Sequence, residues 1–323
     1  SGRVMSNPQL STKPDQLQFY GSIHHHRSIT TGPSSQVRYH GYITTMNFAP
    51  LEALLEYHER HKPQALLITQ DSQTRLERYE DGFRPETAHA LYSGTKSFWG
   101  VAAVTAQSEG LLALDEPVAQ TIPSWNADAW KRRVTIRQLL QLTAGFPFGG
   151  LGSAVPAYGK ALAMDLRDEP GSRFTYGGIP LQVFGAVLTE KLRRLQMTPH
   201  QYLQSSILDP MGVQVAKWRE LSDGTHPLPT GAFLTARNWQ RFGGYIAANA
   251  ARYGECFIGS SANPRYGLAW SLAPGGAPQD LFYASGSGGQ ALYVLPSKNL
   301  VIARFGQGGS FKHEAFLRRL PPR

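Results

Sequence analysis

Apolar positions recur at helical spacing in some stretches of the chain and alternate or run together in others. Leu51, Leu54, Leu55 and His58 share one helical face, and predict a helix capped by Asn47 and ended by Pro63. Residues 65–69 and 75–79 are short apolar or alternating runs on either side of Asp71-Ser72-Gln73, and predict an antiparallel hairpin. From Ser93 the spacing becomes helical again. Phe98, Val101, Ala102 and Thr105 fall on one face, and Gly110 stops the pattern. Further helices are expected over 135–142, 181–195, 199–208 and 236–248. Strands then return at 266–272, 281–284, 290–295 and 299–305, each bounded by Gly or Pro. A last helix is expected over 311–320, with Ser310 as its N-cap and Pro321-Pro322 after it.

This order of elements predicts an α+β fold. The early and late strands pair into one antiparallel sheet flanked by helices, and a mainly helical domain is inserted between them. The expected divisions are an N-terminal arm over 1–45, a sheet domain from 46–110 and 251–323, and a helical domain over 111–250. A site is expected in the cleft between the two parts.

Composition narrows the picture. Hydrophobic residues are 41% and charged residues 17% of the 323, enough apolar material for a sizeable core. The single cysteine, Cys256, excludes an internal disulfide and the multi-cysteine zinc frameworks. His24-His25-His26 has no Cys, Asp or Glu close by to complete a metal site, so no metal and no cofactor are expected. No apolar run is long enough for a spanning helix, so no integral membrane segment is expected. The net charge of +9 comes from scattered clusters such as Lys131-Arg132-Arg133, with no nucleic-acid motif, and no nucleic-acid partner is expected. No charged n-region followed by an apolar h-region is visible, and compartment and oligomeric state are left open.

The candidate chemistry begins at Ser93-Gly94-Thr95-Lys96. Ser and Lys three apart at a helix start share a face, and the helix N-terminus offers free N–H groups to a developing oxyanion. A lysine can take the serine proton only if desolvation or a neighbouring cation lowers its pKa. Taken alone the tetrapeptide is a weak signal.

Further segments strengthen it. Leu91-Tyr92-Ser93-Gly94-Thr95-Lys96-Ser97-Phe98 is followed by Glu109-Gly110-Leu111-Leu112-Ala113-Leu114-Asp115-Glu116-Pro117-Val118 and by Val134-Thr135-Ile136-Arg137-Gln138-Leu139-Leu140-Gln141-Leu142-Thr143-Ala144-Gly145. Pro170-Gly171-Ser172-Arg173-Phe174-Thr175-Tyr176, Leu234-Thr235-Ala236-Arg237 and Tyr266-Gly267-Leu268-Ala269-Trp270 come next. Together these segments resemble the serine beta-lactamase and penicillin-binding-protein superfamily, in its class C-like branch of esterases and amide hydrolases. That branch includes the family VIII esterases and 6-aminohexanoate-dimer hydrolase. The likeness runs from about residue 65 to residue 305. It implies the beta-lactamase/transpeptidase-like fold and a serine hydrolase working through an acyl-enzyme.

Carried over by position, the resemblance makes Ser93 the acylated nucleophile, Lys96 its partner, and Tyr176 the proton-shuttling tyrosine of the second motif. The third motif falls on Ala284-Ser285-Gly286. The backbone N–H groups of Ser93 and Ser287 are then the expected oxyanion hole, while Gly178, Ser285 and Gly286 are expected to face the substrate. Either Lys96 or Tyr176 can be the main base. Trp99, Trp239 and Trp270 are expected in the core.

Two positions depart from the family pattern. Gly178 stands where an Asn is usual, and Ala284 where a Lys or His is usual. Losing the cation removes an anchor for the carboxylate that penicillins, cephalosporins and D-Ala-D-Ala peptides carry, unless another residue such as Arg265 supplies one. The expected substrate is therefore a small ester or a small amide. The alternatives are a beta-lactamase or D,D-peptidase, or a catalytically inactive binding relative.

Overall fold

The hairpin predicted over 65–79 supplies two strands of a six-stranded antiparallel sheet, and the last strands of the chain supply the other four. The computed structural model describes residues 51–320. The first of its elements are helix α1 (Glu52–Glu59), strands β1 (Pro63–Gln70), β2 (Gln73–Tyr79) and β3 (Ala88–Ala90), and helix α2 (Lys96–Ser108). Helices α3 (Ile136–Leu140), α4 (Tyr158–Ala163), α5 (Ile179–Leu192) and α6 (Pro199–Tyr202) fill the middle of the chain. Strands β4 (Lys217–Trp218) and β5 (Ala232–Thr235) precede helix α7 (Ala236–Ala248). Strands β6 (Ser271–Leu272), β7 (Phe282–Gly286), β8 (Gln290–Leu295) and β9 (Leu300–Gly306) and helix α8 (His313–Leu317) complete the described part.

The large sheet runs β2-β1-β9-β8-β7-β6 and is covered on both faces. Because side chains alternate along a strand, each strand feeds two cores. Ala65, Leu67, Leu292, Val294, Ala303 and Phe305 face α2 and α7, while Leu66, Ile68, Tyr293, Leu295 and Ile302 face α1 and α8. Double coverage is why β8 and β9 read as continuous apolar runs. Helix α7, at the end of the 111–250 stretch, lies against β1, β8 and β9. Its Gly243 makes this approach possible, since an added Cβ would sit 2.6 Å from Val301 Cγ1 and 2.8 Å from Leu292 Cδ1. Trp99, Trp239 and Trp270 are fully buried.

This α+β arrangement, an antiparallel sheet flanked by helices with a mainly helical stretch between its early and late strands, is the one that the sequence led us to expect. Some local expectations need correction. Only Ser271–Leu272 of the 266–272 segment is strand, because Ala269 takes a left-handed φ of 61° and the Gly267 N–H returns to the Trp270 carbonyl. The final helix starts at His313, with Lys312 at its N-cap position and no side-chain cap, so Ser310 does not cap it. A second small sheet, β3-β5-β4, was not anticipated. Asn47, Pro321-Pro322, the arm over 1–45 and His24-His25-His26 lie outside the described residues. Among the described residues no helix is long and apolar enough to cross a membrane, and no group of three His, Cys, Asp or Glu could hold a metal ion.

Candidate active site

Ser93 sits where the chain leaves β3 and turns into α2. A 3₁₀ turn, Tyr92–Thr95, makes the junction. Its two ends are fixed by the Leu91 N–H on the Ala232 carbonyl and the Gly94 N–H on the Leu91 carbonyl, both at 2.9 Å. Tyr92 takes φ 47°, a conformation costly for a residue with a side chain, and such strain tends to be kept where geometry serves a function. The Ser93 N–H belongs to the first turn of the helix, where N–H groups have no intrahelical acceptor.

One turn further, Lys96 is 2% exposed. Its Nζ donates to Ser93 Oγ at 2.9 Å and to the Pro229 carbonyl at 3.1 Å. Burial disfavours the ammonium form and brings the Lys96 pKa down from 10.5 to about 7. The Tyr176 ring centroid lies 4.9 Å from that Nζ. Burial raises the Tyr176 pKa, and a hydrogen bond with the Ser93 hydroxyl partly offsets the rise. Backbone bonds on both sides hold Tyr176 in place, Thr175 N–H to Leu142 carbonyl (3.0 Å) and Gly178 N–H to Gly149 carbonyl (2.9 Å).

These groups open into a cavity of about 200 Å³. Of the expected site residues, Ser93, Lys96, Tyr176, Ser285, Gly286 and Ser287 all line it. Gly286 brings β7 close to the serine turn, because a Cβ there would stand 2.1 Å from the Leu91 carbonyl oxygen. The rest of the wall comes from Tyr92, from Gly150, Leu151, Gly152 and Val155, and from Pro229 and Thr230. Among the described residues, Lys96 is the one cationic side chain in the lining, and no carboxylate joins it. Arg265 borders a different groove, beside residues 272–282.

Gly178 does not line the cavity, contrary to expectation. It is the N-cap residue of α5, packed so tightly that an added Cβ would lie 1.9 Å from the Gly150 carbonyl oxygen and 2.9 Å from Pro229 Cγ. The glycine loop at 149–152 occupies the space that a side chain at 178 would need. Gly178→Asn, the change that restores the usual family residue, is therefore expected to destabilise the fold by at least about 2 kcal/mol through overpacking. Denaturant unfolding of the variant checks this.

The Pro229 carbonyl was not anticipated. A backbone carbonyl has no residue-type signature, and the one available hint was the rigid Pro227-Leu228-Pro229 run. The structure fixes that run from two sides. Trp99 Nε1 donates to the Leu228 carbonyl at 2.7 Å, and the Leu228 N–H donates to Gln182 Oε1 at 2.8 Å.

A family model described as Beta-lactamase matches residues 55–319. Among curated proteins, the chain is 24% identical over 150 residues to Protein flp of Staphylococcus aureus strain N315. That match takes in 43% of this chain and 30% of Protein flp, so the chain spans under a third of the length of this relative. Among solved structures, a family VIII carboxylesterase superposes with a TM-score of 0.67 at 16% identity, covering 87% of this chain and 98% of that one. EstCE1, a hydrolase with promiscuous acyltransferase activity, gives 0.68 at 14% identity, covering 84% and 97%. A class C beta lactamase from Rhodobacter sphaeroides gives 0.63 at 15% identity, covering 84% and 97%. At these identities the structural likeness shows the fold.

Proposed function

The chain belongs to the beta-lactamase family of serine hydrolases, and on that premise we propose that it cleaves small uncharged esters or amides through an acyl-enzyme on Ser93. The observation that carries this reading is the buried lysine, with Nζ 2.9 Å from Ser93 Oγ and a pKa near 7. A neutral lysine at that distance can accept the hydroxyl proton at neutral pH, which an exposed lysine cannot do. Ser93 Oγ then attacks the carbonyl carbon, and the carbonyl oxygen takes up negative charge between the N–H groups of Ser93 and Ser287. Each such donor is worth about 3 kcal/mol of barrier.

The proton held on Lys96 passes to the departing alcohol or amine, with Tyr176 in the bridging position beside Ser93 and Lys96. A water then gives its proton to the same basic pair and attacks the acyl carbon, releasing the acid and returning the proton to Ser93 Oγ. Lys96 is the better main base of the two. Burial lowers its pKa toward neutrality, whereas the same burial raises that of Tyr176.

The lining favours an uncharged acyl group. Leu151, Val155 and the rings of Tyr92 and Tyr176 supply apolar surface, and among the described residues no arginine or second lysine joins them to meet a carboxylate. A carboxylate brought into such a site without its charged partner forfeits about 2–3 kcal/mol, close to 100-fold in rate. The kcat/KM for p-nitrophenyl butyrate is accordingly expected to exceed that for nitrocefin by about 100-fold. Comparable turnover of the two substrates would overturn the ester and amide preference. A similar EstCE1 fold and a family VIII carboxylesterase fold are consistent with it.

A further inference from the structure

The turn that carries Ser287 is gripped from both faces of the large sheet. On the α2 face, Gln290 is 3% exposed. Its Nε2 donates to the Ser287 carbonyl at 3.1 Å and to the Gly306 carbonyl at 2.6 Å, and its Oε1 accepts from the Gly306 N–H at 3.1 Å. On the α1 and α8 face, Arg304 is fully buried. It donates from Nη1 to the Gly289 carbonyl at 2.5 Å and from Nη2 to the His61 carbonyl at 2.8 Å, and its guanidinium carbon lies 3.8 Å from the Phe311 ring centroid.

The turn itself is conformationally permissive. Gly288 and Gly289 take φ values of +83° and +81°, a conformation that two glycines reach easily and also leave easily. The last rung of the β7–β8 ladder is Gly286 with Gln290, so Ser287 lies just beyond the regular pairing. Meanwhile the buried guanidinium is balanced by carbonyls and an aromatic face, with no carboxylate paired to it among the described residues. An apolar side chain at 304 would avoid that desolvation cost. Two buried polar side chains thus converge on one short turn and hold its carbonyls in place.

We propose that Gln290 and Arg304 are positioning residues for the reaction on Ser93, holding residues 287–289 so that the Ser287 N–H faces the acyl oxygen. The inference rests on the acyl-enzyme reading above. Gln290 has the larger share, because it binds the carbonyl of Ser287 itself and ties it to the end of β9. Arg304 anchors the far side of the turn through Gly289.

The test compares p-nitrophenyl butyrate with its thiono analogue, in which sulfur replaces the carbonyl oxygen. A fitted oxyanion hole discriminates against the larger, weaker acceptor, and misaligned donors discriminate less. In Gln290→Leu the oxo kcat is expected to fall about 30-fold with KM within about threefold, and the oxo-to-thiono rate ratio should shrink by a similar factor. Gln290→Glu keeps an acceptor for the Gly306 N–H but loses the donor, and is expected to behave likewise. Arg304→Lys should give a smaller drop, of about fivefold. The ratio does not depend on how much protein is folded, so a merely structural role would lower both rates and leave it unchanged. An unchanged ratio in all three variants would overturn the proposal. A wild-type ratio near one would do the same while leaving Ser93 catalysis intact. Absence of Ser93-dependent turnover in the wild type would instead remove the acyl-enzyme reading, and this inference with it.

Discussion

Ser93→Ala is expected to lower p-nitrophenyl butyrate turnover by more than about 10⁴-fold, because it deletes the bond-forming atom and leaves the rest of the site in place. Ser93 is half-buried at the mouth of the helix, and its side chain adds little packing. After the change Lys96 still has the Pro229 carbonyl, and the turn is still held by the Leu91 and Gly94 bonds. Thermal unfolding should therefore stay close to that of the wild type. Initial rates of the two proteins, measured side by side, decide the matter. Activity that survives in the variant would mean that another group attacks the ester.

The second large effect concerns Lys96. Its pKa in the folded protein is about 7 against an ordinary 10.5, so below pH 7 the group is an ammonium and cannot accept a proton. The kcat/KM for a neutral ester should thus climb about tenfold per pH unit up to pH 7 and level off above it. Lys96→Arg keeps the charge at every accessible pH, and is expected to lose about 10³-fold or more with no recovery at high pH. A profile with its midpoint near 10, or an active arginine variant, would take Lys96 out of the proton-transfer role. The direction is the useful part of the experiment. A carboxylate or an ordinary histidine acting as base would place the rise lower, and a tyrosine acting as base would place it higher.

Much of this arrangement was legible in the sequence because local signals agreed with one another. Helix α7 coincides with the expected 236–248 span: Thr235 accepts the Asn238 N–H as its cap, and Trp239, Phe242 and Ile246 recur on the buried face. The β1–β2 turn was legible as well, since Asp71 and Ser72 are residue types that tolerate the positive φ values of 52° and 61° found there. Ser93 and Lys96 stood out by spacing, and Tyr176, Gly286 and Ser287 by resemblance.

What was not legible depends on contacts far apart in the chain. Strands β3 and β4 contain three and two residues, too few to show a period, and they exist because β5 lies between them. The Pro229 carbonyl contributes to the site through its position, which Trp99 and Gln182 determine from distant helices. Gly178 was misplaced for a related reason. The family pattern says what usually stands there, but the space is taken by the Gly150 backbone, which no pattern at 178 records.

The pairing of β1 with β9 has a consequence for how the protein is made. Residues 63–70 find their partners at 300–306, so the hairpin emerges from the ribosome with the outer edge of β1 unpaired and waits for most of the chain to be synthesised. The serine and lysine are translated early, while the Ser287 turn and its Gln290 and Arg304 supports come late. A nascent chain stalled before β7 would carry the nucleophile without the strand that completes its site. Long-range closure of this kind folds slowly and leaves an open strand edge exposed in the meantime, the situation in which a chaperone has most to offer.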